Sequence, residues 1–270
     1  MTSFYVIIPL ADKKMKQETY YYNTLDDEVC FDKISEPVID EKYKYVSHNW
    51  FYNFITFIYY RIIIFPIAFV YSKIIKRIKF VNSKVLKSAK KTGFFIYANH
   101  TNNLSDALTP SVIIPTNKPY VIVNPKNLNV PPFYRSTKML GALPLPTGLK
   151  ATKNFMDAIE YRVKQGHGIL IYPEAKIWPY YTGIRPFKEV SFKYPAQMNV
   201  PVFCFTTTYQ KTKRNKLKMV IYIDGPFYTD KNLTVKQKQQ VLHDNVYKQM
   251  CQRAMLSNYE KNKYIKREQE

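Results

Sequence analysis

The apolar residues of this chain form short runs separated by polar turns, and from residue 94 onward these runs alternate with amphipathic stretches. Short apolar runs bounded by turn residues are typical of buried strands, and a 3.6-residue period is typical of helices. The alternation therefore predicts an α/β fold, with a mixed, mostly parallel sheet flanked by helices. The predicted strands are Phe94–Ala98, Tyr120–Val123, Leu143–Leu145, Ile169–Tyr172, Pro201–Thr206 and Met219–Ile223.

The helical patterns between these strands differ in clarity. The clearest covers 152–164, where apolar residues fall on one face and Gly166 follows as a stop signal. Near the end of the chain, apolar residues repeat at every fourth position over 242–254 and predict a helix that covers the sheet. The predicted helices are Asp106–Ile114, Tyr134–Leu140, Thr152–Lys164 and Val235–Tyr259.

Trp50–Tyr71 is the most apolar stretch and would be about 33 Å long as a helix, enough for a bilayer core of about 30 Å. Asn53, Arg61 and Pro66 disfavour a simple transmembrane span, since an arginine at the bilayer centre is costly and can reach the headgroups from an interfacial helix. A buried core helix is the alternative, but 22 residues this aromatic exceed what most cores use. We expect membrane attachment, with embedding in the interface favoured over crossing.

The charge pattern divides the chain further. Residues 1–49 are polar and slightly acidic and predict a weakly structured lead segment, whereas a basic run follows the apolar stretch. Beside a membrane segment, such a run predicts contact with anionic lipid and places the domain that follows on the cytoplasmic side. The predicted organisation is a lead segment (1–49), a membrane-associated segment (50–92), an α/β domain (93–260) and a charged, frayed tail (261–270). The basic run comprises Lys73, Lys76, Arg77, Lys79, Lys84, Lys87, Lys90 and Lys91.

Composition narrows the class of partner. The 270 residues carry a net charge of +21, which favours an anionic partner, either phosphate-bearing lipid or nucleic acid. A nucleic-acid binder needs aromatic residues interleaved with basic ones, whereas the densest aromatic stretch here, 50–71, contains Arg61 as its single charge. We therefore expect a membrane surface and no nucleic acid. The three cysteines lack metal-ligand spacing and indicate a reduced compartment, and the N-terminus lacks the features of a signal peptide.

Two polar sites follow predicted strands. His100 comes just after Phe94–Ala98, and Asp106, the one acidic residue between Glu41 and Asp157, begins the next predicted helix. An imidazole with a carboxylate partner is a plausible general base, although a helix-capping aspartate beside an ordinary loop histidine fits the same spacing. Glu174 likewise follows its strand at once, where ligands bind in open α/β sheets, or else is a surface carboxylate.

These blocks occur in a familiar order: Asn99-His100 with Asp106, Gly141 to Pro144, Tyr172-Pro173-Glu174, and Val200-Pro201-Val202. In this order they resemble the glycerolipid acyltransferase family typified by 1-acylglycerol-3-phosphate acyltransferases. The resemblance covers roughly residues 50–260. It implies that His100 is the general base, that Asp106 orients it, and that the Glu174 loop helps to hold the acyl acceptor.

The chain also departs from the family pattern. Five residues separate His100 from Asp106 where the family has four, Ala175 replaces a glycine, and Ile177 stands where an arginine is expected. The arginine that would contact the substrate phosphate is therefore absent from its usual position, and Arg185 or Lys176 could make this contact instead. An ordinary surface arginine is the alternative for Arg185.

The resemblance implies acyl transfer from acyl-CoA or an acyl carrier protein to a lysophospholipid hydroxyl, most simply 1-acylglycerol-3-phosphate giving phosphatidate. The donor is a substrate, and no bound cofactor or metal is expected. The histidine needs no protein nucleophile, because the acceptor alcohol attacks the thioester directly. Open alternatives are another lysolipid acceptor, a transacylase with a phospholipid donor, and a non-catalytic lipid-binding scaffold.

Overall fold

A computed structural model describes residues 17–29, 35–89, 91–114, 118–130 and 136–268 of the chain. The nine described strands are β1 (Thr19–Tyr22), β2 (Lys79–Val81), β3 (Phe94–Ala98), β4 (Tyr120–Val123), β5 (Ala142–Pro144), β6 (Gly168–Ile171), β7 (Val202–Lys211), β8 (Leu217–Phe227) and β9 (Lys263–Lys266). The described helices are α1 (Trp50–Ile75), α2 (Asn103–Ile113), α3 (Leu149–Lys164), α4 (Lys193–Met198) and α5 (Val235–Ala254), with short 3₁₀ turns at Ser83–Ala89, Pro125–Asn129 and Glu189–Phe192.

Seven strands form one sheet in the order β2-β8-β7-β3-β6-β4-β5. All neighbours are parallel except β7 and β8, which form an antiparallel pair. β3 lies at the centre and is buried along its whole length, because helices cover both faces of the sheet. The predicted mixed, mostly parallel sheet flanked by helices is confirmed.

Strand positions follow the apolar runs closely. β3 and β4 begin and end as predicted, and β5 and β6 are shifted by one residue. β7 and β8 are longer than predicted, since their pairing as a hairpin extends beyond the apolar core into polar residues. The edge strand β2 was not predicted, and it places part of the basic run that follows α1 within the sheet.

None of the four predicted helices matches the structure at both ends. α3 begins three residues before its predicted start, at Leu149, and α5 ends at Ala254 instead of Tyr259. α2 begins at Asn103, three residues before the predicted start, because the side chain of Asn102 accepts a hydrogen bond from the backbone of Ser105 and caps it. The helix predicted over 134–140 is not formed in its described part, 136–140, which is a series of turns, and residues 134 and 135 lie outside the described residues.

The lead segment and the tail need correction. β1 and β9 pair in parallel as a separate two-stranded sheet, so described parts of both predicted flexible ends are ordered. Ile39 and Tyr45 are buried in the main core, which ties the described residues 35–49 of the lead segment to the α/β domain. Both predictions relied on local polarity, which does not report pairing between the two ends of a chain.

α1 runs from Trp50 to Ile75 and is long and apolar enough to cross a membrane. Its turns at Tyr59–Ile64 and Val70–Ile75 are wound as π-helix, and the first precedes Pro66, whose ring disfavours a regular α-turn. One face of α1, including Tyr60, Ile64 and Ala68, is buried against the domain. The opposite face exposes Trp50, Phe51, Phe54, Ile55, Phe57, Ile62, Ile63, Ile67, Phe69, Val70, Ile74 and Ile75.

Candidate active site

His100 and Glu174 meet at one edge of the sheet because their strands are neighbours. β3 and β6 run parallel with Tyr97 opposite Ile171, so the residues that follow both strands emerge side by side. The backbone N–H of His100 donates a hydrogen bond to Oε2 of Glu174 over 3.1 Å. Both residues therefore lie beyond the carboxyl ends of their strands, where ligands bind in open α/β sheets.

His100 and Asp106 form a hydrogen bond of 2.8 Å between Nδ1 and Oδ2. The same oxygen accepts the backbone N–H groups of Thr101 and Asn102 at 3.0 and 2.9 Å, so the carboxylate is fixed by three donors. Asp106 lies in the first turn of α2, where the helix dipole also favours negative charge. The extra residue between His100 and Asp106 is absorbed by the turn that Asn102 caps.

The side chains of His100 and Asp106 differ in their exposure to solvent. The side chain of Asp106 is 7% exposed and that of His100 is 22% exposed. Among the described residues, no protein group hydrogen-bonds Nε2 of His100, and this nitrogen remains available to a substrate. With Nδ1–H donating to the carboxylate, Nε2 is the basic nitrogen of the ring.

The backbone around His100 is held on both sides. Asn99 pairs its side-chain amide with the backbone of Thr207, donating to the carbonyl over 3.0 Å and accepting the N–H over 2.8 Å. On the other side, the N–H of Trp178 donates to the carbonyl of His100 over 3.1 Å. The histidine is therefore carried by a rigid turn, which suits a group that must be aimed.

Tyr172 is a site residue that the sequence analysis did not single out. Its ring stacks on the His100 ring with centroids 4.6 Å apart, and its hydroxyl donates to the backbone carbonyl of Asp106 over 2.7 Å. Burial raises the pKa of Tyr172 well above its usual value, so the hydroxyl stays a donor. A signal was available, since Tyr172 directly precedes Pro173-Glu174.

Glu174 and Arg185 form a buried pair. The Glu174 carboxylate accepts the backbone N–H of Arg185 over 2.9 Å and lies 3.3 Å from its Nη2. The two side chains are 0% and 1% exposed, and the guanidinium also donates to the backbone carbonyls of Lys176 and Leu25. Burial raises the pKa of Glu174, while the charge of Arg185 acts in the opposite direction. In this arrangement neither side chain faces open space where a substrate phosphate could bind.

Lys176 remains exposed, with its ammonium donating one hydrogen bond to the backbone carbonyl of Asp26 over 2.8 Å. Trp178 donates to the neighbouring carbonyl of Asp27 and stacks on Tyr264 of β9. Described residues of the lead segment and of the tail thus cover the outer side of the Glu174 loop, and this contact could not be predicted from local sequence patterns.

Ala175 has a φ of +61°, in the left-handed region that disfavours side chains. The backbone keeps the conformation suited to the glycine that the resemblance leads one to expect there. Holding an alanine in this left-handed conformation costs roughly 1 kcal/mol of folding free energy relative to glycine.

The space directly behind the pair is small. A cavity of about 10 Å³, lined by Asp106, Tyr172 and Thr207 among others, lies on the inner side of the site. It has room for about one water molecule, so it is not a substrate site. Within the described ranges, no cluster of three or more His, Cys, Asp or Glu side chains is arranged to hold a metal ion.

Comparison with known proteins gives two matches. The Acyltransferase family model matches residues 77–208, just under half of the chain. A search of the solved structures finds similarity to the crystal structure of the 1-acyl-sn-glycerophosphate (LPA) acyltransferase PlsC from Thermotoga maritima, at 15% identity and a TM-score of 0.47. That alignment covers 67% of this chain and 73% of the other. None of the curated proteins compared with the chain matches it.

Proposed function

We propose that this chain transfers a fatty acyl group from acyl-CoA, or from an acyl carrier protein, to the free hydroxyl of a lysophospholipid, and the match of the Acyltransferase family model to residues 77–208 supports the proposal. The leading acceptor is 1-acylglycerol-3-phosphate, and its product is phosphatidate. The observation that carries the proposal is the 2.8 Å hydrogen bond between His100 and Asp106 at an accessible edge of the sheet.

In the proposed reaction, Nε2 of His100 takes the proton of the acceptor hydroxyl as its oxygen attacks the thioester carbonyl. The C–O bond forms, the C–S bond then breaks, and the proton passes from Nε2 to the leaving thiolate. Asp106 holds Nδ1–H and stabilises the imidazolium that develops. General-base assistance of this kind typically contributes about 10²–10⁴-fold.

The remaining site residues are assigned by their surroundings. Glu174 is a positioning residue, because it holds the backbone N–H of His100, and Arg185 neutralises Glu174. Tyr172 fixes the plane of the imidazole by stacking. Lys176 is the one of the three predicted binding residues whose charge reaches solvent, so we assign to it the phosphate of the acceptor.

We further propose that α1 lies in the membrane interface. A helix that crosses a bilayer is surrounded by lipid, whereas α1 buries one face between Thr56 and Ser72 against the domain and leaves an apolar face open. The arrangement brings the site to the lipid surface, where both substrates partition. We also propose that the catalytic domain lies on the cytoplasmic side of the membrane, because basic residues follow the apolar part of α1.

The test is product formation by the purified full chain on phosphatidylcholine vesicles that contain one lysolipid at a time. Labelled oleoyl-CoA and oleoyl-loaded acyl carrier protein are compared as donors. The proposal predicts labelled phosphatidate with 1-acylglycerol-3-phosphate. Transfer to a different lysolipid would replace the acceptor, product without an added donor would indicate transacylation from phospholipid, and no product with any pair would refute the function.

A further inference from the structure

A second basic cluster lies at the end of the sheet opposite His100. His167 directly precedes β6 and lies level with Gly93, the residue before β3, whereas His100 follows the other end of β3. At about 3.3 Å per residue, the two histidines are roughly 20 Å apart along the strand direction. The cluster therefore has no part in the acyl-transfer chemistry.

The cluster is built around the ring of Tyr120. The ammonium of Lys118 lies 4.9 Å and the guanidinium of Arg162 lies 4.6 Å from the centre of this ring. His167 meets the same ring edge-on at 5.1 Å. The Nε of Arg162 is buried without a hydrogen-bond partner, so one donor is left over. The Nδ1 of His167 is also buried without a partner, but burial lowers the pKa of this histidine to about 4 and its ring hydrogen-bonds the backbone of Lys118, so it offers no further donor near neutral pH.

A groove of about 950 Å³ lies beside the cluster, between residues 41–49 and helix α3. Lys138 lines the groove, 5.6 Å from the ring centre of Tyr43. The guanidinium of Arg162 lies 5.2 Å from the ring centre of Tyr161, a residue of α3 that also lines the groove. Lys118 donates to the carbonyl of Met139, the residue after Lys138, so groove and cluster adjoin.

These cations face each other without a carboxylate partner. Burial lowers the pKa of Lys118 to about 7, and the charge of Arg162 adds to the effect. Burial likewise lowers the pKa of Lys138, with Lys44 and Arg162 contributing. Glu41 and Asp157 also line the groove. In the described part of the chain, neither carboxylate forms an ion pair with any of the four cations, which are Lys44, Lys118, Lys138 and Arg162. Uncompensated positive charge at a partly buried site favours an anionic ligand.

We propose that this groove binds a phosphate group, held by Lys138 and Lys44, which line the groove, with Arg162 and Lys118 of the adjoining cluster beside them. The groove wall 41–49 continues directly into α1, whose first residue, Trp50, is exposed. A phosphate bound there lies where the apolar face of α1 begins, which fits the headgroup of an anionic lipid. A free phosphate group offers the same chemistry, and the two sources are separated by experiment.

The first arm measures the thermal unfolding midpoint of the full chain in sodium phosphate and in sodium chloride of equal ionic strength. Phosphate is expected to raise the midpoint of the wild type but not that of Lys138→Gln/Arg162→Gln. The matched control is Lys150→Gln/Lys153→Gln, which removes two exposed charges from α3, the helix that carries Arg162. It should respond like the wild type.

The second arm measures co-sedimentation with phosphatidylcholine vesicles with or without phosphatidate, in the absence of any acyl donor. We expect phosphatidate to increase wild-type binding at least fivefold, and the groove variant to lose this increase while the control keeps it. A response in both arms identifies a site open to the membrane. A response to free phosphate alone supports the site with a soluble ligand.

Three results would overturn the proposal: no wild-type response in either arm, a response that the groove variant retains, or an equal loss in the control. If the double variant lacks the circular-dichroism spectrum of the wild type, Lys138→Gln replaces it and Lys153→Gln becomes the control. Because neither arm measures acyl transfer, failure here leaves the proposed activity intact, and failure of that activity leaves this site intact.

Discussion

The Asp106→Asn substitution removes the charge beside His100 but keeps an oxygen that can accept the backbone N–H groups of Thr101 and Asn102. The turn should therefore fold as before. What changes is the charge: the neutral amide oxygen in the place of Oδ2 can accept the same three hydrogen bonds, but it no longer offers a full negative charge to the imidazolium that forms when Nε2 takes the substrate proton.

The size of the effect follows from the 2.8 Å contact between Nδ1 and Oδ2. The charge centres of an imidazolium and a carboxylate in such a contact are about 4 Å apart, and at an effective dielectric constant near 20 their attraction is about 4 kcal/mol. Losing it as the imidazolium forms corresponds to a fall of roughly 10³-fold in kcat/KM.

The assay is labelled oleoyl transfer to 1-acylglycerol-3-phosphate on vesicles, with kcat and KM determined for the wild type and for Asp106→Asn. Glu160→Gln, which neutralises an exposed carboxylate on α3, is the control and should remain within twofold. Urea unfolding checks that Asp106→Asn is folded. A folded Asp106→Asn protein with kcat/KM within fivefold of the wild type would refute the reasoning.

Three further predictions concern stability, each measured by urea unfolding. Ala175→Gly should raise the free energy of unfolding by up to about 1 kcal/mol, since it relieves a φ of +61°; a loss would contradict this. Arg185→Met should cost about 3–5 kcal/mol because it leaves Glu174 buried without its partner. Adding Glu174→Gln should recover much of that cost, and purely additive losses would argue against the pair. Burial lowers the pKa of His167 to about 4, so the unfolded state binds the extra proton first and stability falls as the pH drops from 6.5 towards 4. Between pH 7 and pH 5 the wild type should lose about 2 kcal/mol more than His167→Asn, and equal losses would refute the assignment.

The sequence predicted the centre of the fold well, because β3 and β6 are short apolar runs whose ends are marked by polar or proline residues. The same pattern placed His100 and Glu174 after strands, and parallel pairing then made their meeting a consequence of topology. The burial of a strand can be recognised from its own run of apolar residues, so the polar residues that follow such a strand can be predicted from the local sequence.

Features that depend on distant segments were not predictable in this way. Nothing near Arg185 in the sequence indicates that its guanidinium turns inward to Glu174, and the sequence suggests either a phosphate contact or an ordinary surface arginine. The polar sequences of the two chain ends hide the pairing of β1 with β9. Tyr172 differs, since its position beside Pro173-Glu174 was visible and its stacking on His100 required only the strand geometry.

The central claim is that the imidazole of His100 removes the proton from the acceptor hydroxyl. It is tested most directly by the rate of labelled acyl transfer in the His100→Ala protein on vesicles containing 1-acylglycerol-3-phosphate, with vesicle binding measured in parallel. We predict unchanged vesicle binding and a rate at least about 10²-fold below that of the wild type. A His100→Ala protein that binds the same vesicles and transfers acyl groups at close to the wild-type rate would contradict the account.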